Sequence, residues 1–202
     1  MLEKIRFERF TAFEKIEIRL SPGVNIFIGE NATGKTHILK AAYCACDISK
    51  SGGGFAEKLN NVFLPSRKQI GRLVKRSGVS SKGFVEVVRK LEDGKSLSLR
   101  LSISNHTTKV DKANVTGATK LWAANPIEAA YIPVKDMMAN APGFRSLYEE
   151  REIHYEEIYV DILRKAFLPL LKGPADVRRK ALLRDLQCAM EGKVVIKNEE
   201  FF

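Results

Sequence analysis

An α/β fold, with an antiparallel strand layer ahead of a helical lobe, is predicted by three observations: period-two alternation of apolar residues near the start, a glycine-bounded loop between an apolar run and an apolar helix, and helical periodicity through the carboxyl-terminal part. Ile5 and Phe7 alternate with charged residues, as do Ile16, Ile18 and Leu20, so each set predicts a half-buried strand. Residues 24–28 form a short apolar run that reads as a buried strand, set off by the turn residues Ser21, Pro22 and Gly23. Gly29-Glu30-Asn31-Ala32-Thr33-Gly34-Lys35-Thr36 follows at once. Residues 35–46, with Ile38, Leu39, Ala41, Ala42, Ala45 and Cys46, then read as a buried helix.

Further along, the pattern breaks down, and the Ser/Gly-rich stretch around Gly52-Gly53-Gly54 predicts a flexible loop near residues 47–66. Ile70, Leu73 and Val74 predict a short basic helix. Residues 83–104 read as a β-hairpin whose turn carries Glu92-Asp93-Gly94-Lys95. One strand is expected near residues 109–115 and another at 129–134, which Pro133 should end or hold at a sheet edge. An amphipathic helix is expected over 148–168, a break over 169–174, a second helix over 175–190 and a last strand at 194–196. The implied organisation is an amino-terminal lobe over 1–136 that contains the glycine-bounded loop, a helical lobe over 137–192, and the start of a following strand over 193–202.

Composition bounds the rest. A chain of 202 residues, 45% apolar and 29% charged, can bury one good core or one core plus a small lobe. No apolar run approaches the roughly 18 residues that span a bilayer, and Met1 to Phe7 alternate too regularly for a signal peptide, so a cytoplasmic protein with no membrane partner is expected. Cys44, Cys46 and Cys188 make neither a CxxC pair nor an even disulfide set. The formal charge of +10 is the unusual bulk property, because a basic surface attracts polyanions and makes DNA a candidate partner. The basic residues are densest at Arg67-Lys68, Arg72 and Lys75-Arg76, and again at Arg178-Arg179-Lys180 and Arg184, where the plain reading is a solvated helix face.

The segment from Gly29 to Thr36 carries the chemistry. A triphosphate needs donors that approach without steric obstruction, and glycine supplies both closeness and unusual backbone angles. In a P-loop, successive main-chain N–H groups wrap the phosphates and the next helix contributes its unpaired amides and positive dipole end. Lys35 would reach the β- and γ-phosphates, and Thr36 would be a Mg²⁺ ligand. The predicted cofactors are therefore ATP and Mg²⁺, bound by Gly29, Glu30, Asn31, Ala32, Thr33, Gly34, Lys35, Thr36 and His37, with Lys35 catalytic.

Phe10-Thr11-Ala12-Phe13 before a strand, Pro22-Gly23 before the apolar run, then Gly29-Glu30-Asn31 and Gly34-Lys35-Thr36 ahead of an apolar helix together resemble the amino-terminal lobe of ABC-type ATPases of the RecF, OLD and SMC group. Within that group the sequence is most similar to bacterial AAA-type ATPases that stand alone or act in phage defence. The resemblance implies a P-loop NTPase fold with a mixed sheet, whose early antiparallel strands cover the nucleotide, and places Asn31 on the phosphate loop. Ala32 stands where many relatives carry glycine, and its side chain is small enough for the loop to survive.

Two landmarks of such ATPases are not recognisable. The strand of apolar residues ending in Asp-Glu has no counterpart: residues 130–136 are interrupted by Pro133 and Lys135, and residues 194–200 by Lys197 and Asn198. Ser51-Gly52-Gly53 matches the letters of the signature motif but lies too close to Thr36, and reads as a linker. A switch residue after a central strand would fall near Asp136, a candidate contact to Mg²⁺ or water. The chain is expected to be an incomplete domain, a homodimer or second polypeptide supplying what is missing, with slow or absent hydrolysis on its own. The alternatives are a non-catalytic binding module, a nucleic-acid-binding protein, and a small-molecule kinase, the last disfavoured by the antiparallel strands before the loop. His37, His106 and His154 have no metal-ligand spacing. Glu149, Glu150, Glu152, Glu156 and Glu157 read as a solvated helix face with Arg151 and Arg164.

Overall fold

The structure, a computed structural model, describes residues 1–135, 137–151, 153–168, 176–192, 196–197 and 200–201. It divides into two compact units, Met1–Tyr131 and Ile132–Phe202.

The first unit is built on a five-stranded sheet in the order β2-β1-β3-β4-β5, from β1 (Leu2–Phe10), β2 (Phe13–Arg19), β3 (Lys82–Lys90), β4 (Ser96–Ser104) and β5 (Asn114–Gly117). Each pairing is antiparallel, and no parallel pair occurs among the described residues. Alternation decides the two faces. Ile5 and Phe7 on β1 stand opposite Val87 and Val85, which stand opposite Leu99 and Leu101, and all six are buried. The intervening positions make a charged ladder on the other face, where Arg6 lies between Glu17 at 3.1 Å and Glu86 at 3.3 Å. A one-residue slip would exchange the two sets, so burial of one face holds the register.

Helix α1 (Lys35–Ser51) buries Ile38, Ala41, Cys44, Ala45 and Ile48 and ends at Gly52, whose left-handed φ of 73° lets its N–H bond back to Ile48. Helix α2 (Phe55–Phe63) follows. The expected flexible loop over 47–66 is thus mostly helical, and only Gly52-Gly53-Gly54 interrupt it. Two tertiary contacts explain why. Lys58 on α2 meets Asp47 on α1 at 2.9 Å with both side chains largely buried, and the Tyr43 hydroxyl donates to the same carboxylate at 3.2 Å. The Ser49 hydroxyl, buried, donates to the Cys46 carbonyl and accepts from the Ile127 amide. Helix α3 (Thr119–Ala124) is anchored by Trp122, whose indole N–H donates to the Ala45 carbonyl at 2.7 Å. Arg89 stacks over that indole and donates to the carbonyls of Trp122 and Asn125, and burial pulls its guanidinium below its ordinary pKa.

Other expectations shift. Ile70, Leu73 and Val74 are buried as expected, but on a 3-10 turn, Ile70–Leu73, rather than an α-helix. The strand expected near 109–115 is a 3-10 turn, Val110–Lys112, followed by β5. Residues 129–134 form no strand, and Ile132 and Val134 are exposed. Residues 24–28 likewise form no strand, and Val24, Ile26 and Ile28 are 85%, 76% and 92% exposed. A strand is closed by neighbours, and residues 24–28 pair with none among the described residues.

In the second unit, α4 (Ala141–Arg151) and α5 (Glu157–Ala166) stand where one helix over 148–168 was expected. Ala141, Phe144, Val160 and Leu163 make their shared core. On the surface Arg164 meets Glu149 at 3.1 Å, an exposed pair that contributes little. Helix α6 (Val177–Met190) and the short strands β6 (Ile196–Lys197) and β7 (Glu200–Phe201), paired antiparallel, complete the unit. The expected break at 169–174, residues 194 and 195 of the expected last strand, and Glu152 lie outside the described residues. Among the described residues no helix is long and apolar enough to cross a membrane.

Candidate nucleotide-binding site

The residues from Gly29 to Thr36 form a compact turn that opens α1. Its shape rests on two left-handed positions, Ala32 with φ 63° and Gly34 with φ 98°. Gly34 caps α1, and its carbonyl accepts the His37 amide at 2.9 Å and the Ile38 amide at 3.2 Å. Gly34 is also required sterically, because a Cβ there would stand 2.5 Å from Cζ of Phe13. Phe13, the first residue of β2, is therefore the floor of the loop, a role its sequence position did not disclose. Its ring also packs on Phe7, 4.9 Å between centroids, which ties the loop to the sheet core.

Within the turn the Thr33 hydroxyl donates to the Glu30 carbonyl at 2.9 Å. The Lys35 ammonium curls over the loop and donates to the carbonyls of Gly29 at 2.7 Å and Glu30 at 2.5 Å. An ammonium has three donors, so one remains for an anion. The main-chain N–H groups of Asn31, Thr33, Gly34, Lys35 and Thr36 make no hydrogen bond among the described residues. This combination, unpaired amides at the positive end of a 17-residue helix beside a lysine, fits a polyphosphate. The Thr36 side chain is exposed at the same helix start, as a hard-cation oxygen ligand must be.

The structure therefore gathers Gly29 through Thr36 into one turn. His37 faces elsewhere: its ring lies 5.5 Å from that of Phe63, and its amide is committed to Gly34. Asp136 lies outside the described residues. Ser51 is the last residue of α1, and Gly52 and Gly53 edge an apolar cavity of about 510 Å³ that also touches Leu99, Val115 and Trp122. His106 and His154 are exposed, and no cluster of His, Cys, Asp or Glu suited to a metal occurs among the described residues. Cys44 and Cys46 are buried in α1 and Cys188 is exposed, and none of the three forms a disulfide.

An antiparallel sheet feeding a glycine-hinged turn and a buried helix defines the amino-terminal P-loop lobe of an ABC/RecF-type ATPase. Residues 4–133 match the family model described as AAA domain, and the chain belongs to that family. Among curated proteins it is similar to the DNA replication and repair protein RecF of Clostridium perfringens, 38% identical over 205 residues, covering 97% of this chain and 52% of that protein. RecF of Clostridium botulinum is 28% identical over 153 residues, covering 75% of this chain and 38% of that one, and RecF of Listeria welshimeri is 34% identical over 102 residues, covering 46% and 27%. The chain thus spans about half the length, or less, of the curated relatives it matches. A solved structure of the recombination mediator protein RecF-ATPrS in the RecFOR pathway aligns with 96% of this chain and 47% of that one, at a TM-score of 0.43 and 16% identity.

Proposed function

We propose that this chain binds ATP with Mg²⁺ on the turn from Gly29 to Thr36 and serves as the nucleotide-binding lobe of a molecular switch in cytoplasmic DNA metabolism. The observation that carries the reading is the set of unpaired amides from Asn31 to Thr36, gathered around left-handed Gly34 under the Lys35 ammonium. Gly29 to Gly34 present the main chain, Lys35 neutralises β- and γ-phosphate charge as it builds, and Thr36 holds the metal through its hydroxyl. Mg²⁺ would be held by the Thr36 hydroxyl and would supply positive charge to offset that of the phosphates. Asp136 is the candidate for orienting water.

Hydrolysis needs an acidic strand and a signature motif that this sequence does not display, and a homodimer or a further polypeptide is the proposed source of both. The exposure of Val24, Ile26 and Ile28 supports that part, since an apolar run without hydrogen-bonded neighbours calls for a covering strand. A setting in phage defence is compatible with the same switch. The reading as a binding module without hydrolysis shares the site and differs only in turnover.

Titration with a fluorescent ATP analogue in Mg²⁺ tests the proposal. Saturable binding is expected, with Lys35→Ala weakening it at least about tenfold, as removal of one charge-assisted hydrogen bond should. The unfolding midpoint should hardly move, because Lys35 is only partly buried. Equal binding by both proteins would remove the site from Gly29–Thr36. Steady phosphate release by the pure chain would show that its catalytic groups are complete.

A further inference from the structure

Between α2 and β3, residues 66–76 carry Arg67, Lys68, Arg72, Lys75 and Arg76 and no acidic residue. Charge pattern alone reads this stretch as a solvated helix face. The structure has instead two short 3-10 turns, Ser66–Lys68 and Ile70–Leu73, lashed to the rest of the lobe. The buried amide of Asn60 donates to the Lys68 carbonyl at 3.2 Å, and the Gly71 N–H donates to the Thr107 carbonyl at 2.8 Å. The Thr11 N–H donates to the Leu73 carbonyl at 2.6 Å, and the Lys75 N–H to that of Arg9 at 2.8 Å. Ile70, Leu73 and Val74 point inward and are buried, leaving the cations outside.

Two adjacent cationic residues are also held in a backbone shape that side chains resist. Arg67 has φ 59° and Lys68 φ 51°, both left-handed and neither glycine. Strain of this kind persists where the surroundings over-determine it, and it is concentrated at ligand clamps. The charges are largely uncommitted. Arg67, Lys68 and Arg76 are exposed and make no ion pair among the described residues, whereas Lys75 meets Glu14 at 3.3 Å and Arg72 meets the Gln69 side chain.

We propose that this strapped segment, with Arg67, Lys68 and Arg76 as its contacts, is a docking surface for the phosphate backbone of duplex DNA. Charge selects a polyanion. The chemistry of the segment selects which one. Protein interfaces are anchored by apolar and aromatic side chains, and every apolar side chain of this segment from Ile70 to Val74 is turned inward. Single strands are bound by stacking bases on exposed aromatics, and residues 66–76 contain none. Cations held on a strapped backbone, with no aromatic to stack unpaired bases, suit the regular phosphates of a duplex. The inference deepens the DNA-metabolism part of the proposed function and is independent of nucleotide binding.

Anisotropy of a short fluorescein-labelled duplex, titrated with the 202-residue chain across a series of NaCl concentrations, tests it. The variant Arg67→Gly, Lys68→Gly, Arg76→Ala removes the charges while allowing the left-handed backbone, so its folding is not placed at risk. Affinity should fall about tenfold or more, and the slope of log K against log salt should flatten by about 2 to 3, near 0.9 for each phosphate left without its cation. The control Arg178→Ala, Arg179→Ala, Lys180→Ala removes as much charge elsewhere and should change both far less. Equal losses from the two variants would reduce the effect to bulk charge and overturn the surface, as would unchanged binding by the first. Tighter binding of a single strand than of the duplex would overturn the choice of partner. Fluorescent-ATP binding measured on the same variants should stay at the parent level. Its absence from the parent would sink the nucleotide reading and leave the DNA result standing.

Discussion

Strand β4 and the run at residues 24–28 both have the apolar content of a strand and meet opposite fates. Leu97, Leu99, Leu101 and Ile103 alternate with polar residues on β4, and Val24, Ile26, Phe27 and Ile28 make the other stretch a short apolar run. The β4 set is buried, with Leu99 and Leu101 at 0% exposure, while Ile26 is 76% exposed. The difference lies in the main chain. β4 is hydrogen-bonded to β3 on one side and β5 on the other, and Leu99 and Leu101 stand opposite Val87 and Val85. Residues 24–28 have no such neighbour among the described residues. An apolar pattern states what a strand requires; only pairing turns that requirement into burial.

The largest expected effect sharpens this contrast by truncating one residue in each stretch. Leu99→Ala leaves a cavity in a closed core and should cost about 2–5 kcal/mol in urea unfolding. Ile26→Ala should cost no more than about 0.5 kcal/mol, because the side chain is already mostly in water. A comparable loss from Ile26→Ala would break the comparison, since it would show the run to be covered in solution.

A second test moves to the loop itself, where glycine rather than a large side chain is the critical residue. Gly34→Ala adds a Cβ against Phe13 at a left-handed backbone, and should destabilise the chain by about 2–3 kcal/mol. Replacing Phe13 by Leu in the same chain relieves the clash and leaves the backbone strain. A double-mutant cycle should therefore show coupling of about 1 kcal/mol. Additive losses would mean that Phe13 is not the floor of the loop.

What could be read from the sequence follows the same division. The hairpin of β3 and β4 was legible because its two alternating segments are each other's neighbours, so local pattern and pairing coincide. The turn from Gly29 to Thr36 was legible because each residue type has a separate physical task. The stretch at 47–66 was misread because its helices are held by contacts that no window of sequence contains: Asp47 with Lys58, and Ser49 with the amide of Ile127. Residues 24–28 were misread for the converse reason, since their composition asks for strand neighbours that the described residues do not supply. The support given by Phe13 to Gly34 joins two distant segments, and only the left-handed angle of Gly34 betrays that the space beneath it is filled.

The smallest effect is expected at Ala32, and its sign makes it informative. Ala32 is exposed and has φ 63°, so its methyl group buries nothing while its backbone bears the penalty of a left-handed L-residue, about 1–2 kcal/mol. Glycine at this position escapes that penalty and adds about 0.5–1 kcal/mol of unfolded-state entropy against folding. The balance favours Ala32→Gly by about 0.5–1 kcal/mol, a rise of roughly 1–4 °C in Tm for a chain of this size. In the sheet the same replacement would be destabilising, because a strand residue has an ordinary backbone and loses packing. A fall in Tm would mean that the loop, free in solution, does not hold Ala32 left-handed, and that the turn acquires its shape only when an anion gathers its amides.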